Sequence, residues 1–203
     1  MIIFINTEYF KVKENEFIHP TQTHSSNIRF AEIGEQNYPE TDAIILTNTE
    51  QAVYLRFADC TPVIVYDRQA NIAAVVHAGW RGTVAGILPK TIEKMLESSK
   101  SDIENVFVAI GPAIGACCYS VGDEVIQGVD SSVRNNEGLY CERGGKTFLD
   151  LKKTNARQAV ESGVPIENID ICPFCTCCNN DLFYSYRKEN GTDLRHNAII
   201  KLR

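Results

Sequence analysis

Cys60 and His77 are the residues whose types and settings best suit chemistry. Cys60 stands in Ala58-Asp59-Cys60-Thr61-Pro62, and His77 in Val76-His77-Ala78-Gly79-Trp80-Arg81-Gly82. A soft thiolate beside an imidazole suits zinc or copper. The same pair also suits a cysteine nucleophile activated by a histidine base. Both motifs follow short apolar, β-prone runs, 52–55 and 72–76, which read as strands ending in polar or glycine-rich turns. As neighbours in one sheet, two such strands deliver thiol and imidazole to the same edge.

The elements that must hold this pair follow from the hydrophobic pattern. Strand-like runs occur at about 2–6, 43–47, 52–58, 62–67, 72–77, 105–110, 167–171, 182–187 and 194–202. A helix is predicted over 83–98, with Val84, Ile87, Leu88, Ile92, Met95 and Leu96 on one face. Pro89 should kink it or delay its start. A second helix is expected over 149–162 with Gly163 as its stop, and a short third one follows 121–125. The 182–187 run, Glu189-Asn190-Gly191 and 198–200 read as a terminal hairpin. Strands dominate, which argues for α+β layers. No repeat or linker divides the chain, so 1–203 reads as one domain.

Composition narrows the partners. The chain is 44% hydrophobic, with a net charge of −6 and no basic run, which disfavours nucleic acid. No apolar stretch approaches the roughly 18 residues of a membrane span. The apolar start lacks a basic n-region and reads as a strand, not a signal peptide. Eight cysteines without an export signal are expected to be reduced thiols of a cytoplasmic protein.

Several motif signals fail. Gly145-Lys146-Thr147 lacks the first glycine of a phosphate loop, because Tyr140 occupies that place. Cys172-Pro173-Phe174-Cys175-Thr176-Cys177-Cys178 has the spacing of a redox pair or half a zinc site. Only Cys117-Cys118 or Cys141 remain, outside Cys60, as a second half, so the cluster is expected to be bystander thiols. Of the four histidines, His19 and His196 read as ordinary surface or core residues, while His24 stands in a polar cluster, Gln22-Thr23-His24-Ser25-Ser26-Asn27.

Taken together, several motifs resemble the laccase-domain, or multicopper polyphenol oxidase, family. They are Gln22-Thr23-His24, Thr41-Asp42-Ala43, Ala58-Asp59-Cys60-Thr61-Pro62-Val63 and the His77 motif. Ile110-Gly111-Pro112-Ala113-Ile114-Gly115, Cys118-Tyr119-Ser120-Val121-Gly122, Cys175-Thr176 and Phe183-Tyr184-Ser185-Tyr186-Arg187 continue the match in order. The resemblance implies that His24, Cys60 and His77 ligate zinc. It implies a purine nucleoside phosphorylase acting on adenosine, inosine and methylthioadenosine with phosphate, with accompanying adenosine deaminase activity. A bacterial branch edits peptidoglycan precursors, so a zinc- or Cys60/His77-dependent hydrolase is the alternative. Two departures bear on substrate range. The Thr-Arg-x-Gly-Gly and Ser-Leu-Asn-Leu-Gly elements usual ahead of the first motif are absent, and Thr192-Asp193-Leu194-Arg195 matches the family's Thr-Gly-Arg only loosely.

Residue counting separates the metals. Copper could take two histidines and a cysteine, but a multicopper oxidase cluster needs more imidazoles than His19 and His196 supply. Zinc with three protein ligands keeps one position open, and a water acidified there could attack C6 of adenine. Arg81 is the leading phosphate-binding candidate and Arg187 the second. Asp59 joins the three ligands as a catalytic candidate, either orienting a ligand or acting as a base. A zinc-stabilised binding module without turnover is a further reading. The expected whole is an α+β single domain of layered mixed β-sheets flanked by helices, in an α/β/β/α-like sandwich. It would bind purine nucleoside and phosphate, as a monomer or homodimer.

Overall fold

A computed structural model describes residues 17–203, so the strand expected at 2–6 lies outside the described residues. Its centre is a six-stranded mixed sheet in the order β11-β7-β5-β6-β3-β2. These strands are β2 (Ile28–Phe30), β3 (Ala43–Leu46), β5 (Thr61–Asp67), β6 (Ile72–Ala78), β7 (Val106–Ile110) and β11 (Ile169–Ile171). A second sheet, in the order β1-β4-β12, holds β1 (Phe17–Ile18), β4 (Ala52–Phe57) and β12 (His196–Lys201). A third is the small antiparallel sheet of β8 (Ser120–Val121), β10 (Lys146–Leu149) and β9 (Tyr140–Arg143).

β6 is buried along its whole length because both faces of the large sheet are covered. On one face Val63, Val65, Ala74 and Val76 pack against Ile87, Leu88, Ile92 and Met95 of helix α2 (Ile87–Ser99) and Ala159 of α4 (Leu151–Glu161). On the other, Ile44, Ile64, Ala73 and Val75 pack against Val53, Leu55, Phe57, Ala198 and Ile200 of the second sheet. The layers therefore run helices, six-stranded sheet, three-stranded sheet, within the α+β class the sequence indicates. Under the small sheet, Leu139 and Leu149 meet Val129 of α3 (Asp123–Ser132) and Trp80 of α1 (Trp80–Val84).

Two differences from the sequence reading have local causes. The helix expected over 83–98 is split into α1 and α2 at Gly86, whose φ of +71° leaves the right-handed helical region. Pro89 falls in the first turn of α2, where amides have no intrahelical partner anyway. The 182–187 run is not a strand. The Glu189 carboxylate accepts from the Ser185 amide and the Asn180 side chain, folding the segment into turns, and β12 pairs with β4 instead. Gly163 stops α4 as expected, at φ +100°, with Val164 and Gly163 amides donating to Ala159 and Val160 carbonyls.

Candidate metal centre

The site grows from one edge of the six-stranded sheet. β5 and β6 are antiparallel, with Thr61 opposite Ala78 and Pro62 opposite His77. Cys60, one residue ahead of β5, and His77, near the end of β6, therefore emerge together. The partner strand differs from expectation: the 52–58 run is β4 of the other sheet, and the neighbour carrying Cys60 is β5. Cys60 sits where the chain crosses between sheets, directly after Asp59, whose φ is +80°. Residue patterns alone cannot assign an apolar strand to one of two stacked sheets.

Asp42, the residue before β3, ties the edge together. It is fully buried, and its Oδ1 lies 2.7 Å from His77 Nδ1. The same carboxylate accepts from the amides of Thr23, His24 and Ser25 at 3.1, 3.1 and 2.7 Å. These bonds hold His24 at a φ of +60°, a left-handed conformation that costs a non-glycine residue energy. Burial alone would push the Asp42 carboxyl up, but hydrogen bonds from His77 and Ser25 outweigh it and bring it to about 2. Gln22 pins the same loop to β4: its amide donates to the Arg56 carbonyl at 2.9 Å and accepts from the Arg56 amide at 2.8 Å.

With Nδ1 of His77 committed to Asp42, its Nε2 is left for the cluster. One nitrogen each of His24 and His77 and the Cys60 Sγ all lie within 4.8 Å of one another. Gly79 makes this approach possible. A Cβ there would stand 3.0 Å from both Cys60 Sγ and His24 Cδ2. At Gly82 a Cβ would meet the Ser25 carbonyl at 3.0 Å, so the second glycine of the motif lets the His24 loop lie against α1. Burial works against a Cys60 thiolate, yet the His77 charge and hydrogen bonds from both histidines bring the thiol down to about 6. Burial likewise opposes His77 protonation, but Cys60 and Asp42 raise it to about 9. The cluster thus stabilises a cation beside sulfur, and two imidazoles with one thiolate suit a transition metal.

The cluster floors a cavity of about 770 Å³, inside the range of roughly 300–1,000 Å³ common for small-molecule sites. Its walls include Tyr119, Ile114, Arg187, Arg56 and Arg195. Arg187 Cζ lies 5.3 Å from the Tyr119 ring centroid. Burial and the nearby Cys60 charge push the Tyr119 hydroxyl up to about 12, so this wall residue stays neutral. Arg81 is exposed, lies outside the lining and stacks 4.3 Å from the Trp80 ring centroid. Asp59 lines the cavity, but Thr176 Oγ1 and the Arg187 amide donate to its two carboxylate oxygens at 2.6 and 2.7 Å. Another groove, of about 730 Å³ between α2 and β2, is lined by Lys90, Glu93 and Lys94 and by none of the three cluster residues.

Sequence reasoning quoted Asp42 within a motif but gave it no role, and it overlooked Tyr119 and Arg56 as cavity walls. The available signal for Asp42 was a carboxylate directly ahead of the apolar run Ala43-Ile44-Ile45-Leu46. His19 stacks on Tyr54 at 4.5 Å and lines the cavity. His196 packs on Phe57 and Phe183. Neither histidine joins the cluster.

Residues 5–203 match the sequence profile of the family described as multi-copper polyphenol oxidoreductase laccase. The chain belongs to this family. Its relatives include purine nucleoside phosphorylase YlmD of Geobacillus stearothermophilus, 34% identical over 164 residues. That match covers 80% of this chain and 60% of the relative, so the chain spans about three fifths of that protein. Purine nucleoside phosphorylase slr1573 of Synechocystis is 34% identical, covering 82% and 70%. Adenosine deaminase RL5, from an unknown prokaryotic organism, is 32% identical, covering 86% and 70%. The crystal structure of Geobacillus YlmD superposes with a TM-score of 0.88 at 31% identity over 93% of this chain and 74% of that one. Bacillus licheniformis YfiH gives 0.92 at 28% identity over 97% and 78%. By these names the family is one of enzymes processing purine nucleosides. Among the described residues no helix is long and apolar enough to cross a membrane.

Proposed function

We propose that this chain is a zinc-dependent purine nucleoside phosphorylase that also deaminates adenosine. The observation that carries this reading is the convergence of His24, Cys60 and His77 at the floor of a cavity walled by Tyr119 and Arg187. His24 Nε2 or Nδ1, Cys60 Sγ and His77 Nε2 would hold the ion. Once bound, zinc supplies Lewis-acid polarisation and an acidified water. Asp42 orients His77 and, by accepting its Nδ1 proton in a hydrogen bond, fixes the tautomer that leaves Nε2 as the ligating nitrogen, as carboxylates do behind metal-bound imidazoles. Arg187 offers phosphate a charged grip that its backbone bond to Asp59 keeps in place. Asp59 thereby acts as a positioning residue. Arg81, stacked on Trp80 outside the cavity, is the weaker phosphate ligand. Adenosine, inosine and methylthioadenosine are the substrates this reading assigns.

A second reading rests on the pairing of a Cys60 thiol at about 6 with a His77 imidazole at about 9. Cys60, His77 and Asp42 then form a metal-free nucleophile, base and orienting acid, suited to a hydrolase. Chelation separates the two. Adenosine turnover, followed by chromatography with and without phosphate, is expected to stop after zinc removal and return on readdition. Full activity in rigorously chelated protein favours the cysteine hydrolase and contradicts the zinc reading.

A further inference from the structure

A second sulfur cluster stands apart from the His24, Cys60 and His77 site. Cys117 and Cys118 come from the loop after β7, and Cys175 and Cys178 from the turns after β11. Their four Sγ atoms lie within 4.8 Å of one another. Cys178 Sγ is 3.4 Å from the Sγ of both Cys117 and Cys118. The backbone closes over the sulfurs: the Gly115 amide donates to Cys175 Sγ at 3.2 Å, and a Cβ on Gly115 would meet Cys117 Sγ and Cys175 Cβ at 3.3 Å. Ala113 and Cys175 form a parallel bridge that joins the two loops. Spacing in the sequence suggested bystander thiols, because the partners of the 172–178 cluster lie 61 residues upstream.

The size of the cluster selects its occupant. Thiolates around one zinc ion sit about 2.3 Å from it, so no two can stand more than about 4.6 Å apart. The two closest measured pairs, Cys178 Sγ with Cys117 and Cys118 Sγ at 3.4 Å, fall well inside that limit, and all four sulfurs are gathered within 4.8 Å, close enough to converge on one ion. An iron–sulfur cluster, with several irons and sulfides between its cysteines, needs a wider cage. Four thiolates this close repel each other strongly unless a cation lies between them, and an all-sulfur donor set favours zinc. We propose that Cys117, Cys118, Cys175 and Cys178 form a closed four-thiolate zinc site. Arg143 covers it, its Nη2 donating to the Ala116 and Cys117 carbonyls at 2.8 and 3.0 Å and offsetting the negative charge of such a centre.

The site staples the cavity wall of Ile114 and Tyr119 to the segment after β11. Ile114 and Tyr119 flank Cys117 and Cys118, while Thr176 lies between Cys175 and Cys178. Both loops then reach Asp59, through Ile114 N to its carbonyl at 3.0 Å and Thr176 Oγ1 to its carboxylate at 2.6 Å. This zinc is structural and does not depend on how the His24 cluster is read.

Metal content of the full chain, purified under reducing conditions, tests the proposal. Cys60→Ala combined with His77→Ala removes the other site, and this variant is expected to retain one zinc per chain. Loaded with cobalt, it should show the intense thiolate-to-metal absorption of four sulfurs. Cys175→Ser with Cys178→Ser, added to that variant, should abolish both signals. Cys178→His keeps four donors and should still bind one ion, which keeps the test readable if the serine variant does not fold. A metal-free Cys60→Ala/His77→Ala protein with all four thiols free, or with a disulfide between Cys117 and Cys178, overturns the proposal.

Discussion

At the scale of residues, the site depends on two positions that perform no chemistry. Asp42 binds the His77 ring and three amides of the His24 loop through one carboxylate. Asp42→Asn is expected to weaken metal binding by about 10–100-fold, measured by competition with a chromophoric chelator; unchanged affinity contradicts the role given to Asp42. A methyl group at Gly79 would press at 3.0 Å on both Cys60 Sγ and His24 Cδ2, which must move apart to admit it. Gly79→Ala should separate those side chains and lose metal while the fold survives, seen as unchanged far-ultraviolet circular dichroism beside a lower zinc content. The two arginines also differ. Arg187 lines the cavity and Arg81 does not, so Arg187→Ala should lower kcat/KM for phosphate by about 10–100-fold, the value of a charge-assisted bond. Arg81→Ala should cost much less, and the reverse order would transfer the phosphate role to Arg81.

At the scale of elements, β12 carries a stability switch through His196. Burial between Phe57 and Phe183 brings its imidazole down to about 4, and the Asp59 charge and the Pro112 carbonyl only partly offset this. Below its ordinary value of 6.5, the unfolded chain takes a proton that the folded chain refuses. Stability is therefore full above about pH 6.5 and declines as pH falls toward 4, by at most about 3 kcal/mol. Denaturant unfolding across this range should show the slope in the native protein and a reduced slope in His196→Phe. Equal slopes would mean other groups carry the acid sensitivity. The elements also show what the sequence could convey. β5, β6, α2 and α4 were legible because each is a long periodic or apolar run. Residues 182–187 have the same β-prone composition, but Glu189 ties their backbone into turns, a competition that residue pattern does not reveal.

At the scale of the molecule, the candidate site forms where two stacked sheets exchange the chain. Cys60 and Asp59 occupy the crossing from β4 to β5, and His77 leaves the sheet at the same edge. The pairing of Cys60 with His77 was legible from strand-end motifs. His24 was not legible from spacing, because its place depends on a left-handed turn held by Asp42, and the family resemblance alone identified it. The cavity walls came from still farther away, since Tyr119 and Arg187 lie on loops that Asp59 and the cysteine cluster draw together.

The central claim is phosphorolysis of a purine nucleoside at the His24, Cys60 and His77 centre. Its most direct test is inosine turnover by the zinc-loaded protein, with and without phosphate, beside the Cys60→Ala variant. The wild-type chain is expected to release hypoxanthine and ribose 1-phosphate only when phosphate is present. The variant should be slower by at least about 100-fold, a loss of about 2.7 kcal/mol in transition-state stabilisation. Absence of wild-type turnover on inosine, or an equal rate in Cys60→Ala, contradicts the account.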